Sequence, residues 1–406
     1  MRVLYLNPSG QLGGAEVCLL NMMASLCAAR PEWQLHLITS GDGPLVMKAR
    51  ELGIQATVLP FNAPLARLGD AGAGGPAGNR VSRFTLLRRL LLAVPSTLVY
   101  KRRLKRAIRK LSPDVIHTNG FKMHVLGALA RHQGTPLIWH IHDYVQSRPV
   151  MARLLKQLAT RCAIAITNSK SVAEDVRAIC GERLIVRTLY NGIDLNIFSP
   201  DGPELDLDAL SGLPPAAPGT VRVGLLATLA RWKGHATFLR AMALVPESLP
   251  VRGYITTGQL YQTDGSQSSQ TEIKKLIETL SLSRRIGLTG FVDRPASAMR
   301  ALDVVVHAST EPEPFGLVIA EGMACGKAVI TSHAGGATEL VEEKINALTH
   351  QPGDAKALAR AIVELTTDAP LRARLGAAGR ITAEQRFDRT RLATELIPIY
   401  EEVSRG

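Results

Sequence analysis

Short apolar runs alternate with longer amphipathic stretches along most of the chain. The runs are rich in Val, Ile and Leu and end at turn-forming or polar residues, a pattern typical of buried parallel strands. In the first half the predicted strands are residues 3–7, 35–39, 56–59, 115–118, 137–141, 164–167 and 185–189. In the second half they are residues 221–226, 252–256, 286–289, 304–307, 328–332 and 347–350. Strands separated by helical stretches predict an α/β fold with two doubly wound parallel sheets.

The chain length also favours two domains, since 406 residues exceed what one hydrophobic core usually organises. Asn191-Gly192 is a strong turn signal just after the seventh strand. We predict a first domain at residues 1–200, a linker or insertion at 201–219 and a second domain at 220–385. The last part, 386–406, is predicted to contain an amphipathic helix over residues 387–403.

The stretch 309–326 carries the strongest chemical signal. Pro312 and Pro314 prevent the preceding strand from continuing, so the chain turns there, and a helix is predicted over 315–324. The first backbone N–H groups of such a helix form an anion site, and glycine lets a phosphate approach them. The predicted donors are those of Phe315, Gly316 and Leu317.

Two carboxylates accompany this predicted anion site. Glu313 precedes the helix and Glu321 lies within it. Carboxylates accept hydrogen bonds, and sugar hydroxyls donate them, so acids beside a phosphate-binding helix end are consistent with a nucleotide-sugar. The competing interpretation is a strand–turn–helix with solvated acids.

The pattern E-P-F-G-x-x-x-x-E-x-x-x-x-G-x-x-V, from Glu313 to Val329, resembles the donor-site signature of glycosyltransferase family 4. The resemblance implies a retaining enzyme of the GT-B fold, with two Rossmann-like domains facing a cleft and a C-terminal helix crossing back to the first domain. It implies that Glu313 acts on the donor sugar and Glu321 on the ribose. It also implies a nucleotide-sugar as substrate, with neither a metal nor a cofactor.

Positive groups for the diphosphate are predicted after the first strand of the second domain. The family shows G-R-L-x-x-x-K-G at this point, and Lys233-Gly234 match the end of that motif. Thr228 occupies the arginine position, and Arg231 is the nearby guanidinium that is a candidate to replace it. Lys233 and Arg231 are therefore predicted as catalytic and donor-binding residues that hold the diphosphate.

The first domain offers further candidates. A strand, a Gly-Gly loop and a helix follow one another at the start of the chain, and the resemblance implies that Gly13 and Gly14 face the donor phosphates. Glu16 is interpreted as a capping residue. His142 follows a predicted strand, and the resemblance implies a place near the acceptor or donor sugar. For His117 a buried structural role and a functional role are equally consistent with the sequence.

The net charge of +13 has one source. Residues 71–113 contain eleven Lys or Arg and no acid, and the remaining 37 basic residues nearly balance 35 acidic ones. Residues 80–110 are predicted to form a basic amphipathic helix that docks on an anionic membrane, with an apolar face at Leu104, Ala107, Ile108 and Leu111. The alternative is a solvated basic helix. No nucleic-acid-binding motif accompanies this charge, so nucleic acid is not an expected partner.

These observations predict an enzyme, a hexosyltransferase-type glycosyltransferase that moves a sugar from a nucleotide-sugar to an acceptor hydroxyl. The expected acceptor is a glycan or a lipid-linked molecule in cell-surface glycan or glycolipid synthesis. With no signal peptide or spanning segment apparent, the expected location is the cytoplasm, at the inner face of the membrane. The alternative is a noncatalytic GT-B subunit that binds a nucleotide or a membrane, which the missing arginine at Thr228 favours.

Overall fold

The computed structural model describes residues 1–66, 83–132, 134–257 and 268–405, and for residues 83–93 it describes the backbone only. These residues contain the strands β1 Arg2–Asn7, β2 Gln34–Thr39, β3 Gln55–Val58, β4 Val115–Asn119, β5 Leu137–Ile141, β6 Ile164–Thr167, β7 Ile185–Thr188, β8 Val221–Leu226, β9 Val251–Thr256, β10 Ile286–Gly290, β11 Val304–His307, β12 Ala328–Ser332 and β13 Leu348–His350. The helices are α1 Gly14–Ala29, α2 Pro44–Glu51, α3 Ala63–Ala66, α4 Arg83–Leu111, α5 Phe121–Ala130, α6 Pro149–Leu158, α7 Lys170–Cys180, α8 Leu207–Ser211, α9 His235–Leu244, α10 Gln270–Thr279, α11 Pro295–Arg300, α12 Leu317–Ala324, α13 Ala355–Thr367, α14 Ala369–Arg386 and α15 Arg391–Arg405.

The chain divides into two compact units. Unit 1 consists of Met1–Gly192 and Arg389–Gly406, and unit 2 of Ile193–Asp388. Unit 1 has a seven-stranded sheet in the order β3-β2-β1-β4-β5-β6-β7, and unit 2 a six-stranded sheet in the order β10-β9-β8-β11-β12-β13. All these strands pair in parallel. Each sheet therefore has a topological switch point, between β1 and β4 in unit 1 and between β8 and β11 in unit 2, which is where such folds bind ligands.

The sheet of unit 1 is buried on both faces. Leu4 and Leu6 of β1 belong to the core on one face, together with Leu104 of α4. Val3 and Tyr5 point the other way into a core that contains side chains of α1 and α15. This double burial explains why central strands such as β1 and β5 are mostly apolar.

The C-terminal helix returns to unit 1, as expected from the family resemblance. Leu392, Leu396, Ile399 and Tyr400 form its buried face, and the hydroxyl of Tyr400 lies 3.2 Å from that of Tyr5. The predicted start at residue 387 is wrong, because α14 ends at Arg386 and α15 begins at Arg391. Phe387 is instead fully buried in unit 2.

The change from unit 1 to unit 2 falls within the Asn-Gly turn, at Gly192 and Ile193, and the return falls at Asp388 and Arg389. At Gly192 a Cβ atom would lie 2.7 Å from the Cα of Arg389, so this crossing point accommodates only glycine. The segment 201–219, which we expected to be a linker or insertion, belongs to unit 2 and includes α8.

Asp208 anchors α8 to the amino ends of two strands of unit 2. Its carboxylate accepts hydrogen bonds from Arg252 at 2.6 Å, from Arg222 at 3.1 Å and from the hydroxyl of Tyr254 at 2.6 Å. Burial alone would raise the pKa of Asp208, but these donors outweigh it and lower the pKa to about 2. This carboxylate is therefore a structural element of unit 2 that ties α8 to β8 and β9.

The predicted apolar face of the basic helix is not available to a membrane. In α4 the side chains of Leu104 and Ile108 are buried in the core of unit 1, and those of Ala107 and Leu111 pack against it. The expectation that these four residues contact lipid is wrong, because unit 1 needs them to cover its own sheet. Of the predicted segment 80–110, residues 80–82 lie outside the described residues. Within the described ranges, no helix combines the length and the apolar character that crossing a bilayer requires.

Candidate functional site

In unit 2 the loop after β8 reaches the end of β11. Lys233 closes a 3-10 turn, Arg231–Lys233, and Gly234 follows with a φ of 76°. A Cβ atom on Gly234 would lie 1.8 Å from the carbonyl oxygen of Ala308, so only glycine permits this approach. The backbone N–H of Thr310 donates to the carbonyl of Trp232 at 2.7 Å. The turn therefore holds Lys233 beside the residues that follow β11.

Glu313 is the centre of this site. It is only 6% exposed, and its Oε2 atom accepts hydrogen bonds from Lys233 Nζ at 2.8 Å and from Ser309 Oγ at 2.9 Å. His307 Nε2 lies 2.9 Å from the same oxygen. Burial would raise the pKa of Glu313, but the charge of Lys233 and the hydrogen bond from His307 outweigh burial and hold the pKa below its usual range. A buried carboxylate is thus kept ionised.

The helix that follows Glu313 starts two residues later than predicted. Gly316 has a φ of 93°, and α12 begins at Leu317. Phe315 is buried and meets the ring of Phe387 edge to face at 5.9 Å. The first turn of the helix closes with a hydrogen bond from Ile319 N–H to Gly316 O at 3.0 Å. The predicted phosphate donors, the amides of Phe315, Gly316 and Leu317, therefore lie at the junction of the Glu313 loop and the helix.

Glu321 lies in the second turn of α12. It is partly buried, and burial raises the pKa of its carboxyl group to about 7. The two acids of the sequence motif therefore differ in electrostatic state. Glu313 is ionised across the physiological range, whereas Glu321 changes its charge near neutral pH.

Arg231 does not join Lys233 and Glu313. Its guanidinium pairs with Glu272 at the start of α10, at 3.0 Å, and both side chains are about half exposed, at 51% and 52%. Glu272 also accepts a hydrogen bond from the backbone N–H of Ser269, the N-cap of α10. The structure therefore places the candidate substitute for the missing arginine against a carboxylate of another helix.

Two cavities differ in their relation to this site. One of about 200 Å³ lies at the carboxyl ends of β9 and β10 and is lined by Thr257, Lys274, Leu288, Thr289 and Gly290, among others. Another of about 460 Å³ lies at the amino ends of β8 and β11. Because ligands of parallel sheets bind beyond the carboxyl ends, we associate the smaller cavity with the site and assign no role to the larger one.

In unit 1 the corresponding position is the loop between β1 and α1. Gly13 is the N-cap of α1 and Gly14 its first residue. The carboxylate of Glu16 accepts a hydrogen bond from the N–H of Gly13 at 3.0 Å, which confirms Glu16 as a capping residue. The predicted glycines therefore lie at a helix N-terminus beside the switch point of unit 1.

A chain of hydrogen bonds joins this capping group to His142. Asn7 Nδ2 donates to Glu16 Oε1 at 3.3 Å and to Ser9 O at 2.6 Å, and both of these partners can only accept. Asn7 Oδ1 therefore faces Asn119 Nδ2, at 2.7 Å. Asn119 Oδ1 in turn lies 2.6 Å from His142 Nε2, which must carry the ring proton. His142 Nδ1 is left as an acceptor, buried and without a partner among the described residues.

Four histidines lie close together in unit 1. The ring of His140 is 4.0 Å from that of His142 and 5.2 Å from that of His117. Burial lowers the pKa of His142 to about 4 and that of His117 to about 3. The pKa values of His124 and His140 are also lowered well below their usual value by burial. The imidazoles are therefore neutral at physiological pH.

His117 has a structural partner, since its Nδ1 atom is 2.8 Å from the hydroxyl of Tyr400 on α15. Within the part of the chain that the structure describes, no group of three or more His, Cys, Asp or Glu side chains is arranged to hold a metal ion.

Four residues support the predicted ones, and the sequence interpretation noted only Asn119 among them, as a residue at the carboxyl end of its strand. His307 and Ser309 contact Glu313, while Asn7 and Asn119 connect Glu16 to His142. All four lie at or just after the carboxyl end of a strand. Polar residues that end an apolar strand were the available signal, because such positions meet at one edge of a parallel sheet.

Two protein-family models match the chain. The model described as "Glycosyltransferase Family 4" matches residues 12–197, and the one described as "Glycosyl transferases group 1" matches residues 217–382. Together they cover most of both units.

Among curated proteins, D-inositol 3-phosphate glycosyltransferase of Xylanimonas cellulosilytica is 27% identical over 314 residues, which are 72% of this chain and 72% of that protein. Lipopolysaccharide core biosynthesis glycosyltransferase LpsE of Rhizobium meliloti is 27% identical over 288 residues, which are 71% and 75% of the two chains.

Among solved structures, HepE of Anabaena in complex with UDP and glucose has a TM-score of 0.79 and 27% identity, and the match covers 99% of both chains. Sucrose-phosphate synthase of Thermosynechococcus elongatus, at 22% identity, shares the fold with a TM-score of 0.78 over 99% of both chains. The family matches, the relatives and the two Rossmann-like units agree with the Glu313 motif: the chain is a glycosyltransferase of the GT-B fold and belongs to glycosyltransferase family 4.

Proposed function

We propose that this enzyme transfers a hexose from a nucleotide-sugar to an acceptor hydroxyl with retention of the anomeric configuration. The observation that carries the proposal is the cluster in unit 2, where a buried, ionised carboxylate and a lysine lie next to a helix start. A carboxylate suits sugar hydroxyls, and a cation with backbone N–H groups suits a diphosphate. Groups that suit the sugar and groups that suit the diphosphate thus lie next to each other in unit 2.

UDP-hexose is the donor class that we propose. HepE of Anabaena was solved with UDP-glucose, at 26% identity and with 99% of this chain covered. In this chain the cavity of about 200 Å³ at the carboxyl ends of β9 and β10 is the proposed place for the base. Glu321 is proposed to accept hydrogen bonds from the ribose hydroxyls, for which its carboxyl group must be ionised.

The proposed chemistry depends on stabilising the leaving diphosphate. As the glycosidic bond breaks, negative charge grows on the diphosphate, and Lys233 with the amides of Phe315, Gly316 and Leu317 is positioned to stabilise it. Glu313 holds the sugar ring by its hydroxyls, and the acceptor hydroxyl attacks from the face that the diphosphate leaves. Gly13 and Gly14 are proposed to contact the donor phosphates, and His142 to accept a hydrogen bond from a sugar hydroxyl.

We propose that the reaction needs neither a metal nor a cofactor, because Lys233 and the helix N–H groups offer positive charge where the diphosphate would lie. Arg231 remains a proposed contributor, but it must first leave Glu272. Activity that survives a chelator such as EDTA would support this proposal. Activity that EDTA abolishes and Mg²⁺ or Mn²⁺ restores would contradict it.

For the acceptor we propose a glycan or a lipid-linked molecule at an anionic membrane surface, with the enzyme peripheral to it on the cytoplasmic side. The exposed side of α4 supports this proposal, although not through the residues first expected. Val94 is 51% exposed and Leu98 49% exposed. Arg102, Arg106 and Lys110 continue this row at intervals of four residues and are also exposed. An apolar end followed by a basic row suits a lipid surface.

Membrane docking is tested by co-sedimentation with neutral and anionic vesicles at low and high salt. We expect binding to anionic vesicles that weakens with salt, and a further loss in Leu98→Gln and in Arg102→Gln/Arg106→Gln. Leu104 is unsuitable for substitution because it lies in the core. Equal binding to neutral and anionic vesicles, or no binding to either, would favour a soluble acceptor.

The donor is tested by a thermal-shift screen with UDP, GDP, ADP and their sugars, because a ligand that binds the folded state raises its stability by mass action. We expect stabilisation by UDP and UDP-hexoses. Stabilisation by GDP or ADP compounds alone would refute the UDP proposal and leave the reaction class intact.

A further inference from the structure

The residues around Glu313 form a donor network that extends behind the proposed sugar site. His307 is the last residue of β11, Ser309 follows two positions later, and both are almost fully buried, at 3% and 0% exposure. Their polar atoms lie 2.9 Å from Glu313 Oε2. These side-chain contacts are additional to the backbone pairing of β11 with β8 and β12.

The hydrogen positions in this network follow from the partners. Glu313 is ionised and can only accept, so His307 Nε2 must carry a proton. The Ser309 hydroxyl donates to Glu313 and offers its oxygen to His307 Nε2, which is 2.9 Å away. On the other side of the ring, His307 Nδ1 lies 2.9 Å from Thr331 Oγ1 and 3.3 Å from Ser332 Oγ. Both ring nitrogens are therefore engaged, and the imidazole is held in one orientation.

Lys233 has two tasks that compete. In the structure its ammonium group bonds to Glu313, and in the proposed reaction it also stabilises the diphosphate. When part of its interaction goes to the diphosphate, the buried carboxylate needs other donors to stay ionised and oriented. His307 and Ser309 supply such donors from the protein interior.

We propose that His307 and Ser309 are positioning residues for the donor sugar, which fix the orientation and charge of Glu313 while Lys233 engages the diphosphate. This inference rests on the proposed function, in which Glu313 contacts the sugar and not the nucleotide. It therefore makes a selective prediction. Loss of either residue weakens binding of a UDP-sugar and leaves binding of UDP nearly unchanged.

The test compares affinities for UDP and for the UDP-hexose that the wild-type enzyme binds most tightly, by calorimetry. His307→Leu removes the donor, and His307→Gln keeps an amide N–H in its place. We expect His307→Leu to weaken UDP-hexose binding roughly tenfold, with UDP affinity within about twofold of wild type. We expect His307→Gln to recover most of this loss, and Ser309→Ala to show the same selectivity as His307→Leu.

His350→Leu is a matched control. His350 is also a buried histidine, and its Nε2 atom lies 3.4 Å from the carbonyl oxygen of His307, but it does not contact Glu313. Thermal unfolding identifies variants that fail to fold, and Ser309→Ala is the smallest change if His307→Leu is among them. Two results would overturn the proposal. One is an equal loss of affinity for UDP and for UDP-hexose, which a structural defect would produce. The other is unchanged UDP-hexose affinity in both Ser309→Ala and His307→Leu.

Glu313→Gln separates this proposal from the proposed function. If Glu313→Gln weakens UDP-hexose selectively but the His307 and Ser309 variants do not, only the positioning proposal fails. If Glu313→Gln does not weaken UDP-hexose binding more than UDP binding, Glu313 does not contact the sugar and the proposed function needs revision.

Discussion

Units 1 and 2 both have polar groups at the switch point of their sheet, but these groups differ in charge. At the switch point of unit 2, Glu313 and Lys233 are charged and directly paired. At the switch point of unit 1, the side-chain amides of Asn7 and Asn119 connect the Glu16 carboxylate to the neutral imidazole of His142, whose Nδ1 has no partner among the described residues. The comparison shows that a parallel sheet determines where a site lies, while the residues that end its strands determine what the site binds.

This difference has a physical reason. A diphosphate brings negative charge, so its site needs a cation, and a buried cation is stable next to a buried carboxylate only if further donors complete the network. Neutral groups such as Asn119 and His142 suit hydroxyls, which need a partner but no compensating charge. The Lys233 site of unit 2 is thus suited to an anion, and the Asn119–His142 part of unit 1 is suited to a neutral hydroxyl group.

The largest expected effect concerns the charged site. Lys233→Met should lower the rate of sugar transfer or release by about 10²–10³, the range for removing a preorganised group that stabilises developing charge. Steady-state rates with the UDP-hexose found by the screen provide the measurement. Lys327→Met is the control. Lys327 immediately precedes β12, and its ammonium group donates a hydrogen bond to the backbone carbonyl of Arg300 at 2.6 Å. A loss of less than about threefold in Lys233→Met, equal to the control, would contradict the assignment.

The second prediction concerns the other acid of unit 2. Glu321→Ala should weaken UDP binding by about 1.5–3 kcal/mol, since a charged acceptor is lost. Because burial raises the pKa of Glu321 to about 7, UDP should bind more tightly to wild type as the pH rises from 6 to 8 and more of the carboxyl group is ionised. Glu321→Gln should show a smaller increase, because only the terminal phosphate of UDP then changes its charge in this range. Calorimetry that finds the same pH dependence in both proteins would exclude Glu321 from the ribose site.

The third prediction contrasts the stability of the two units in mild acid. His142 has a folded pKa of about 4, below its unfolded value, so the unfolded chain binds more protons and unit 1 loses stability as the pH falls below 6.5. Between pH 7 and 5 this loss amounts to about 2 kcal/mol. Glu321 has a folded pKa of about 7, above its unfolded value, so the folded chain binds more protons. As the pH falls from 7 to 5, Glu321 therefore increases the free energy of unfolding of unit 2 by about 2 kcal/mol.

Hydrogen exchange read separately for peptides of each unit measures this contrast. Relative to wild type, His142→Gln should lose less stability in unit 1 on acidification, and Glu321→Gln should gain less in unit 2. Identical pH dependence in wild type and both variants would show that neither group is perturbed by burial.

The smallest effect is expected at Arg231. Its pair with Glu272 is half exposed, and such pairs contribute about 0.2–1 kcal/mol. If Arg231 helps to hold the diphosphate, Arg231→Ala lowers turnover, by less than Lys233→Met does, and Thr228→Arg restores part of it. Full activity in Arg231→Ala would leave Lys233 and the helix N–H groups as the positive groups of the site.

Much of the fold could be predicted because its signals are local. Strands such as β5 and β12 are mostly apolar runs, and their predicted bounds agree with the structure. The helix boundary at Gly316 was less predictable, because the sequence does not show that this glycine adopts a positive φ. The predicted start of the last helix at residue 387 was wrong because no proline or glycine separates Phe387 from Leu392 in the sequence, although the two residues are buried in different units.

Site residues were predictable where a motif or a strand end identified them, as at Glu313 and Lys233. Their partners were not, because pairing depends on which loops meet. Nothing local in the sequence indicates that Arg231 pairs with Glu272, or that Leu104 faces a core and not a lipid surface. An amphipathic helix has the same pattern in both environments, so the tertiary structure had to decide between them.

The most direct test of the central claim is the anomeric configuration of the sugar that the enzyme releases or transfers from an α-linked UDP-hexose. Proton NMR, recorded early in the reaction and in the presence of EDTA, distinguishes the α from the β product before the free sugar equilibrates. We predict the α product, formed by wild type and strongly reduced in Lys233→Met. A β product, or no turnover with any nucleotide-sugar in the screen, would contradict a retaining transferase built around Glu313 and Lys233.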